Sequence, residues 1–216
     1  IGIFSLEMST DQLVNRLISS ESEIPSNKLR KGNLEEYEFV QLHEKIKDLA
    51  EAPIYIDDTP GLSVFELRAK ARRLKRSSGI DVIMVDYLQL MSIPRYSENR
   101  VNEIAEVTRA LKALAKELDI PVVALSQLNR GVEARQDKRP FLSDLRESGS
   151  IEQDADLIIF LYRDEVYNEN TDAKGIAEVR VEKHRNGPIG MVKLTWVPHC
   201  TRFEDYFPEI YEGGMK

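Results

Sequence analysis

Two apolar runs that each finish in a carboxylate, Ile3-Phe4-Ser5-Leu6-Glu7 and Val82-Ile83-Met84-Val85-Asp86, hold the residues best suited to chemistry in this chain. Runs of this kind suit strands covered on both faces of a parallel sheet, and ligands of such sheets gather just beyond the carboxyl ends of the strands. If the two strands are neighbours, Asp86 can hold a magnesium ion through its water shell while Glu7 polarises an attacking water. Hydrolysis of a nucleoside triphosphate needs that division of labour.

The surrounding segments supply the elements that would position these acids. After Glu7, Ser9 or Thr10 can cap a helix whose residues Leu13, Val14, Leu17 and Ile18 share one apolar face. Residues 21–33, with Pro25 and Gly32, read as a loop, and a charged helix follows near 34–50. Ile54-Tyr55-Ile56 is a short strand stopped by Asp57-Asp58-Thr59-Pro60-Gly61, after which Ser63 caps a helix to about Ser77. Residues 82–85 form the next strand. A helix near 99–119 carries Val101, Ile104, Val107, Leu111, Leu114 and Leu118 along its inner face, and Pro121 ends it. Val122-Val123-Ala124-Leu125 then reads as a further buried strand. Strict alternation of strand and helix implies crossovers between parallel strands.

Beyond Gln127 the pattern breaks. Residues 129–150 are rich in Arg, Lys, Asp, Ser and Gly and form a functional-loop candidate. Leu157-Ile158-Ile159-Phe160-Leu161 reads as a buried strand, residues 176–182 and 191–196 pair as a hairpin around 185–190, and the tail from Phe203 is expected to be poorly ordered.

Composition limits the function classes. The 216 residues suffice for one sizeable core, in which roughly 70% of the unfolded surface is hidden. Hydrophobic residues at 42% and charged residues at 31% match a globular protein, and no apolar stretch approaches the roughly 20 residues that cross a bilayer, so a membrane role is unsupported. Cys200 is the sole cysteine, and no Cys/His cluster has zinc-ligand spacing, which points to a reducing cytoplasm. A formal charge of −7 excludes a protein that coats nucleic acid with its whole surface; any such contact must be local. The sequence opens inside a strand pattern, without an initiator Met or leader, and G-x-x-x-x-G-K-[ST] occurs nowhere in it. It is therefore expected to be a piece of a longer chain.

Five motifs occur in a fixed order: Phe4-Ser5-Leu6-Glu7-Met8, Val85-Asp86-Tyr87-Leu88-Gln89-Leu90-Met91, Ser126-Gln127-Leu128-Asn129-Arg130, Arg146-Glu147-Ser148-Gly149-Ser150-Ile151-Glu152-Gln153-Asp154-Ala155-Asp156 and Lys183-His184-Arg185-Asn186-Gly187. Together they resemble the C-terminal, RecA-like motor domain of the bacterial replicative DNA helicases of the DnaB family, over nearly the whole chain. The resemblance implies an α/β fold: a P-loop NTPase core with a mostly parallel sheet flanked by helices and a C-terminal β-hairpin. It implies a single motor domain over residues 1–216, lacking the family's upstream phosphate-binding loop and N-terminal domain. It also implies ATP and magnesium as cofactors, and as partners single-stranded DNA, further copies in a homohexameric ring, primase and a helicase loader.

Carried over by position, the resemblance makes Glu7 the activator of the hydrolytic water and Asp86 the magnesium carboxylate, in agreement with the reading from the residues. Gln127 matches the sensor of the γ-phosphate, a role suited to an amide because it both donates and accepts. Lys183 and Arg185 match the pair that reaches into a neighbouring subunit's nucleotide site; at i and i+2 on a strand they project from one face. Arg146, Glu147 and Gly149 match the segment that contacts the backbone of single-stranded DNA. Residues 129–149 hold five basic and four acidic side chains, so one copy grips weakly and a ring must act by valency.

Some features are assigned no role. The basic stretch Arg68, Lys70, Arg72, Arg73, Lys75 and Arg76 is read as a solvated face near a helix C-terminus. His43, His184 and His199 form no metal or nucleophilic group. A RecA-type recombinase or a clock-type ATPase would share the strand-end acids, but the 146–156 stretch argues against both. A non-catalytic piece, unable to hold nucleotide without a phosphate loop, is the remaining alternative.

Overall fold

The computed structural model describes residues 1–93 and 100–208, and for residues 146–148 the backbone alone. Its first half is a parallel sheet of strands β1 (Gly2–Ser5), β2 (Tyr55–Asp57), β3 (Ile83–Asp86) and β4 (Val122–Ala124), in the spatial order β2-β1-β3-β4. Helices α1 (Thr10–Ser22), α2 (Ser26–Lys31), α3 (Glu36–Glu51), α4 (Val64–Ser78) and α5 (Arg100–Leu118) make the connections. The second half is antiparallel: β5 (Leu157–Tyr162), β6 (Ile176–His184), β7 (Gly190–Val197) and β8 (Arg202–Asp205) lie side by side in chain order. Between the halves run two 3-10 turns, Arg130–Ala134 and Leu142–Ser148, and the short helix α6 (Gly149–Asp154).

Local chemistry explains most element ends. Ser9 accepts from the Gln12 amide while the Gln12 side chain accepts from the Ser9 amide, and Ser63 and Glu66 repeat this capping box at α4. Gly79 closes α4 at a φ of 64°, where a Cβ would be strained. Beneath these caps Phe4, Val64, Leu67, Ala71, Ile83, Val85, Val107 and Leu114 are wholly buried, joining β1, β3, α4 and α5 in one core that continues to Ile158 and Phe160.

Five expectations are corrected. Residues 26–31 of the supposed loop are helix α2, because after Pro25 the chain meets no further breaker until Gly32. Val101 is exposed, since the first turn of α5 reaches beyond the core. β4 is an outer strand with Val123 and Leu125 in solvent, so it is not a buried strand. β5 is outer too and buries one face only: Ile158, Phe160 and Tyr162 point inward, while Leu157, Ile159 and Leu161 are exposed. The tail is ordered further than expected, because residues 202–205 pair with β7 as β8 and Phe203 packs on Trp196 at 4.8 Å.

Most of the basic stretch on α4 is structural. Arg72 and Arg68 grip Glu117 of α5 at 2.8 and 3.3 Å, and Lys70 reaches Asp57 at 2.6 Å. Hydrogen bonding from Arg72, then from Arg68, holds the Glu117 carboxyl below its ordinary 4.5, at about 2. A carboxylate depressed in the folded state adds stability above its ordinary value and loses it as pH falls towards the folded value. The urea midpoint should therefore drop between about pH 4.5 and 2 more steeply in the wild type than in Glu117→Gln. Equal slopes would show that this pin contributes nothing.

Candidate functional site

β1 and β3 are hydrogen-bonded neighbours in parallel register, with Ser5 opposite Asp86. The ladder continues past the end of β1, where the Leu6 amide donates to the Asp86 carbonyl at 2.7 Å. Ser5, 1% exposed, closes the following turn: its hydroxyl donates to the Met8 carbonyl at 2.7 Å and accepts from the Met8 amide at 3.3 Å. Glu7 rides on this turn and faces solvent. Asp86 ends β3, before a cis peptide to Tyr87 and the 3-10 turn Leu88–Leu90. Both acids therefore stand at one rim of the sheet, as adjacent strands require.

Gln127 joins them from β4, which pairs with β3 up to Val85 and Ala124. The Leu125 amide donates to the Val85 carbonyl at 2.9 Å, and the Leu88 amide donates to the Leu125 carbonyl at 3.0 Å. The Gln89 side chain then fixes the backbone of Gln127, accepting from its amide at 3.2 Å and donating to its carbonyl at 3.1 Å. The amide side chain of Gln127 is left exposed.

The partners of the acids separate structure from chemistry. Asp58 accepts from the Thr10 amide at 2.7 Å, Asp57 pairs with Lys70, Glu66 caps α4 and Asp144 pairs with Arg135 at 2.8 Å. Among the described residues no hydrogen bond or ion pair engages the side chains of Glu7, Asp86 or Gln127. No group of three His, Cys, Asp or Glu able to cage a metal occurs among the described residues. Magnesium does not need such a cage: it keeps most of its waters and is bound by one or two carboxylates together with substrate phosphates. Two open carboxylates at one rim fit an ion of that kind.

Lys183, on β6, and Arg185, one residue past its end, meet at the C-terminal end of α6. Lys183 donates to the Glu152 carbonyl and Arg185 to the Gln153 carbonyl at 2.5 Å, while the Arg185 guanidinium lies 3.5 Å from Asp156. The i, i+2 spacing thus brings both cations to one place, but among the described residues no hydrogen bond or ion pair links them to Glu7, Asp86 or Gln127. His184 turns away, its Nδ1 3.3 Å from the Pro188 carbonyl oxygen. Gly187 lies under that ring, where a Cβ would meet it at 2.4 Å.

The side chains of Arg146 and Glu147 lie outside the described residues. Gly149 is exposed in right-handed helical geometry, and a Cβ placed there would meet nothing within 4 Å, so neither its φ nor its neighbours demand glycine.

A family model described as "DnaB-like helicase C terminal domain" matches residues 1–205. The chain belongs to this family. It is 54% identical over 212 residues to the replicative DNA helicase DnaB of Buchnera aphidicola subsp. Acyrthosiphon pisum, covering 97% of this chain and 46% of that protein. Against the replicative DNA helicase DnaC of Bacillus subtilis it is 52% identical over 216 residues, 100% of this chain and 48% of that one. The chain therefore spans about half the length of the curated relatives it matches. Among solved structures, an ATPase domain superposes with a TM-score of 0.91 at 41% identity, covering 95% of this chain and 74% of that one. A DnaB-like replicative helicase, described with its interactions with primase, gives the same score and identity over 95% of this chain and 50% of its own. The resemblance carried by the five motifs and the RecA-like fold it implied are thus borne out.

For this DnaB-like domain, sequence reasoning missed three side chains. Gln89 lies inside one of the five motifs, but its grip on Gln127 needs β3 and β4 side by side. Arg139 counts in the sequence only as loop charge, yet it holds Glu178 of β6 at 2.7 Å and lies 4.7 Å over the Tyr162 ring, tying the 129–145 segment to the antiparallel sheet. Asp156 is the third; it closes the motif that begins at Arg146, but its meeting with both Lys112 and Arg185 exists only in the fold.

One neutral hydrogen bond contributes about 0.5–1.5 kcal/mol. Gln89→Ala should therefore speed hydrogen exchange at the Gln127 amide by up to about tenfold, while amides in β1 stay protected. Unchanged exchange at Gln127 would show that Gln89 does not hold it.

Proposed function

We propose that this chain is the motor domain of a replicative helicase that hydrolyses ATP at the interfaces of a homohexameric ring, moves along single-stranded DNA and separates the duplex at the replication fork. The observation that carries the reading is the trio Glu7, Asp86 and Gln127, whose side chains have no partner among the described residues, at the ends of three adjacent parallel strands in a family of helicase domains. In this reading residues 1–216 are one motor domain, and the phosphate-binding loop and N-terminal domain come from sequence outside them. The protein acts in the cytoplasm, and a loader and primase are its partners at the fork.

The roles follow from charge and reach. Asp86 holds the hydrated magnesium ion, and Glu7 draws the proton from the attacking water. The ion supplies charge neutralisation on the phosphates. Gln127 touches the terminal phosphate and passes its presence to the loop that begins two residues later. Lys183 and Arg185, supplied by the adjacent subunit, offset the charge that spreads over the transferred phosphoryl group. Arg146, Glu147 and Gly149 track the DNA backbone without reading sequence.

In the full-length protein Glu7→Ala should lower turnover by at least about 100-fold while nucleotide affinity changes little. Arg185→Ala should also be inactive. Because each site takes Glu7 from one subunit and Arg185 from the next, equal mixing of the two variants should restore about a quarter of the interfaces. Normal turnover in Glu7→Ala refutes the role of Glu7, and mixed rings without activity refute the shared site.

A further inference from the structure

Asp156 stands where three elements meet. It follows α6 directly and lies in the link to β5, and its carboxylate is shared: Oδ2 is paired with Lys112 of α5, and Oδ1 faces Arg185 at 3.5 Å. The Arg185 amide also donates to the Asp156 carbonyl at 2.9 Å. One turn before Lys112, the Thr108 hydroxyl donates to Asp154 at 2.6 Å, so α5 holds the end of α6 at two points. The last carbonyls of a helix have no partner within it and carry the negative end of its dipole. Here Glu152 and Gln153 present those carbonyls, and Lys183 and Arg185 occupy them. The cations assigned to a neighbour's triphosphate are thus engaged within their own chain. They bind the helix that continues directly from the Leu142–Ser148 turn bearing Arg146 and Glu147.

We propose that Asp156 is a positioning residue that parks Arg185, with Lys183, on the C-terminal end of α6, so that the pair reaches a neighbour's triphosphate only by leaving this carboxylate and these carbonyls. This rests on the finger and DNA-segment roles proposed above. Parking places a competing anion beside the finger, and a triphosphate with more charge than one carboxylate displaces it. An interface without nucleotide keeps its pair parked and its α6 capped. An interface with nucleotide removes both cations from α6 and frees the end of the helix that leads from the DNA segment. Asp156 therefore couples occupancy of the neighbour's site to the hold on DNA, with Lys112 keeping the carboxylate in place.

The test measures steady-state ATP hydrolysis by the full-length protein, with and without single-stranded DNA. When only part of the population is competent, apparent affinity falls by that fraction, and an exposed ion pair shifts such a balance by a few-fold. Asp156→Asn, similar in shape but uncharged, should lower KM for ATP about two- to fivefold with kcat within about twofold, and should shrink the stimulation by DNA. Asp156→Glu should restore both values towards the wild type. A lower kcat with unchanged or raised KM in Asp156→Asn means a purely structural residue and overturns the proposal. So do unchanged KM and unchanged DNA stimulation. Arg185→Ala, run in parallel, separates the layers: if it retains hydrolysis, the finger role itself fails; if it is inactive while Asp156→Asn equals the wild type, only the parking fails.

Discussion

Phe4, Ile83 and Val85 are wholly buried, and the parallel ladder they anchor holds Ser5 opposite Asp86. This register is the constraint on which the rim depends. A strand alternates faces with a period of two, so a slip of one residue would turn Phe4 and Val85 out of the core and carry the strand-end acids to the wrong side. Burial of the apolar residues beneath therefore fixes the place of the carboxylates above. The bond from the Leu6 amide to the Asp86 carbonyl carries that registration one step beyond the strand, into the turn that bears Glu7.

The charges of the molecule divide into two populations. Many acids and bases close the fold: Glu117 with Arg72 and Arg68, Asp57 with Lys70, Asp144 with Arg135 and Glu178 with Arg139. Glu117 with its arginines and Glu178 with Arg139 join elements distant in sequence, and two of the pairs carry an aromatic ring as well: Arg139 covers Tyr162 and Arg135 covers Phe141. Burial, with the hydrogen bond to Asp164, raises the Tyr162 hydroxyl to about 12 and keeps it neutral. Among the described residues Glu7 and Asp86 are spared such pairing, and an acid without an internal partner is available to a ligand. The 129–145 segment is correspondingly less free than its composition suggests, because Arg139 is committed to the antiparallel sheet and Arg135 to Asp144 within the segment.

Much of this was legible from the residues alone. Ser9 and Ser63 announce their helices because a hydroxyl three residues ahead of a glutamine or glutamate caps an amide locally. The apolar runs before Glu7 and Asp86 announce β1 and β3 because both faces of those strands are covered. The run at 157–161 has the same appearance but buries one face only, since Leu157, Ile159 and Leu161 stay exposed on the other face of the sheet, and the run at 122–125 fails as a buried strand because Val123 and Leu125 are exposed. Residues 26–31 and 202–205 were missed because a short helix and a short outer strand draw their stability from packing rather than from any periodic signal of their own.

The sequence by itself determined the alternation of strand and helix, the caps, the acids at two strand ends and the family. All of these are written in neighbouring residues, where period, capping and motif order act over a few positions. Only the tertiary structure decided that β1 and β3 are neighbours, that Gln89 holds Gln127, and that Lys183 and Arg185 lie on α6 beside Asp156. Those relations join residues separated by tens of positions, and they exist only once burial of the core has brought the strands and helices into contact.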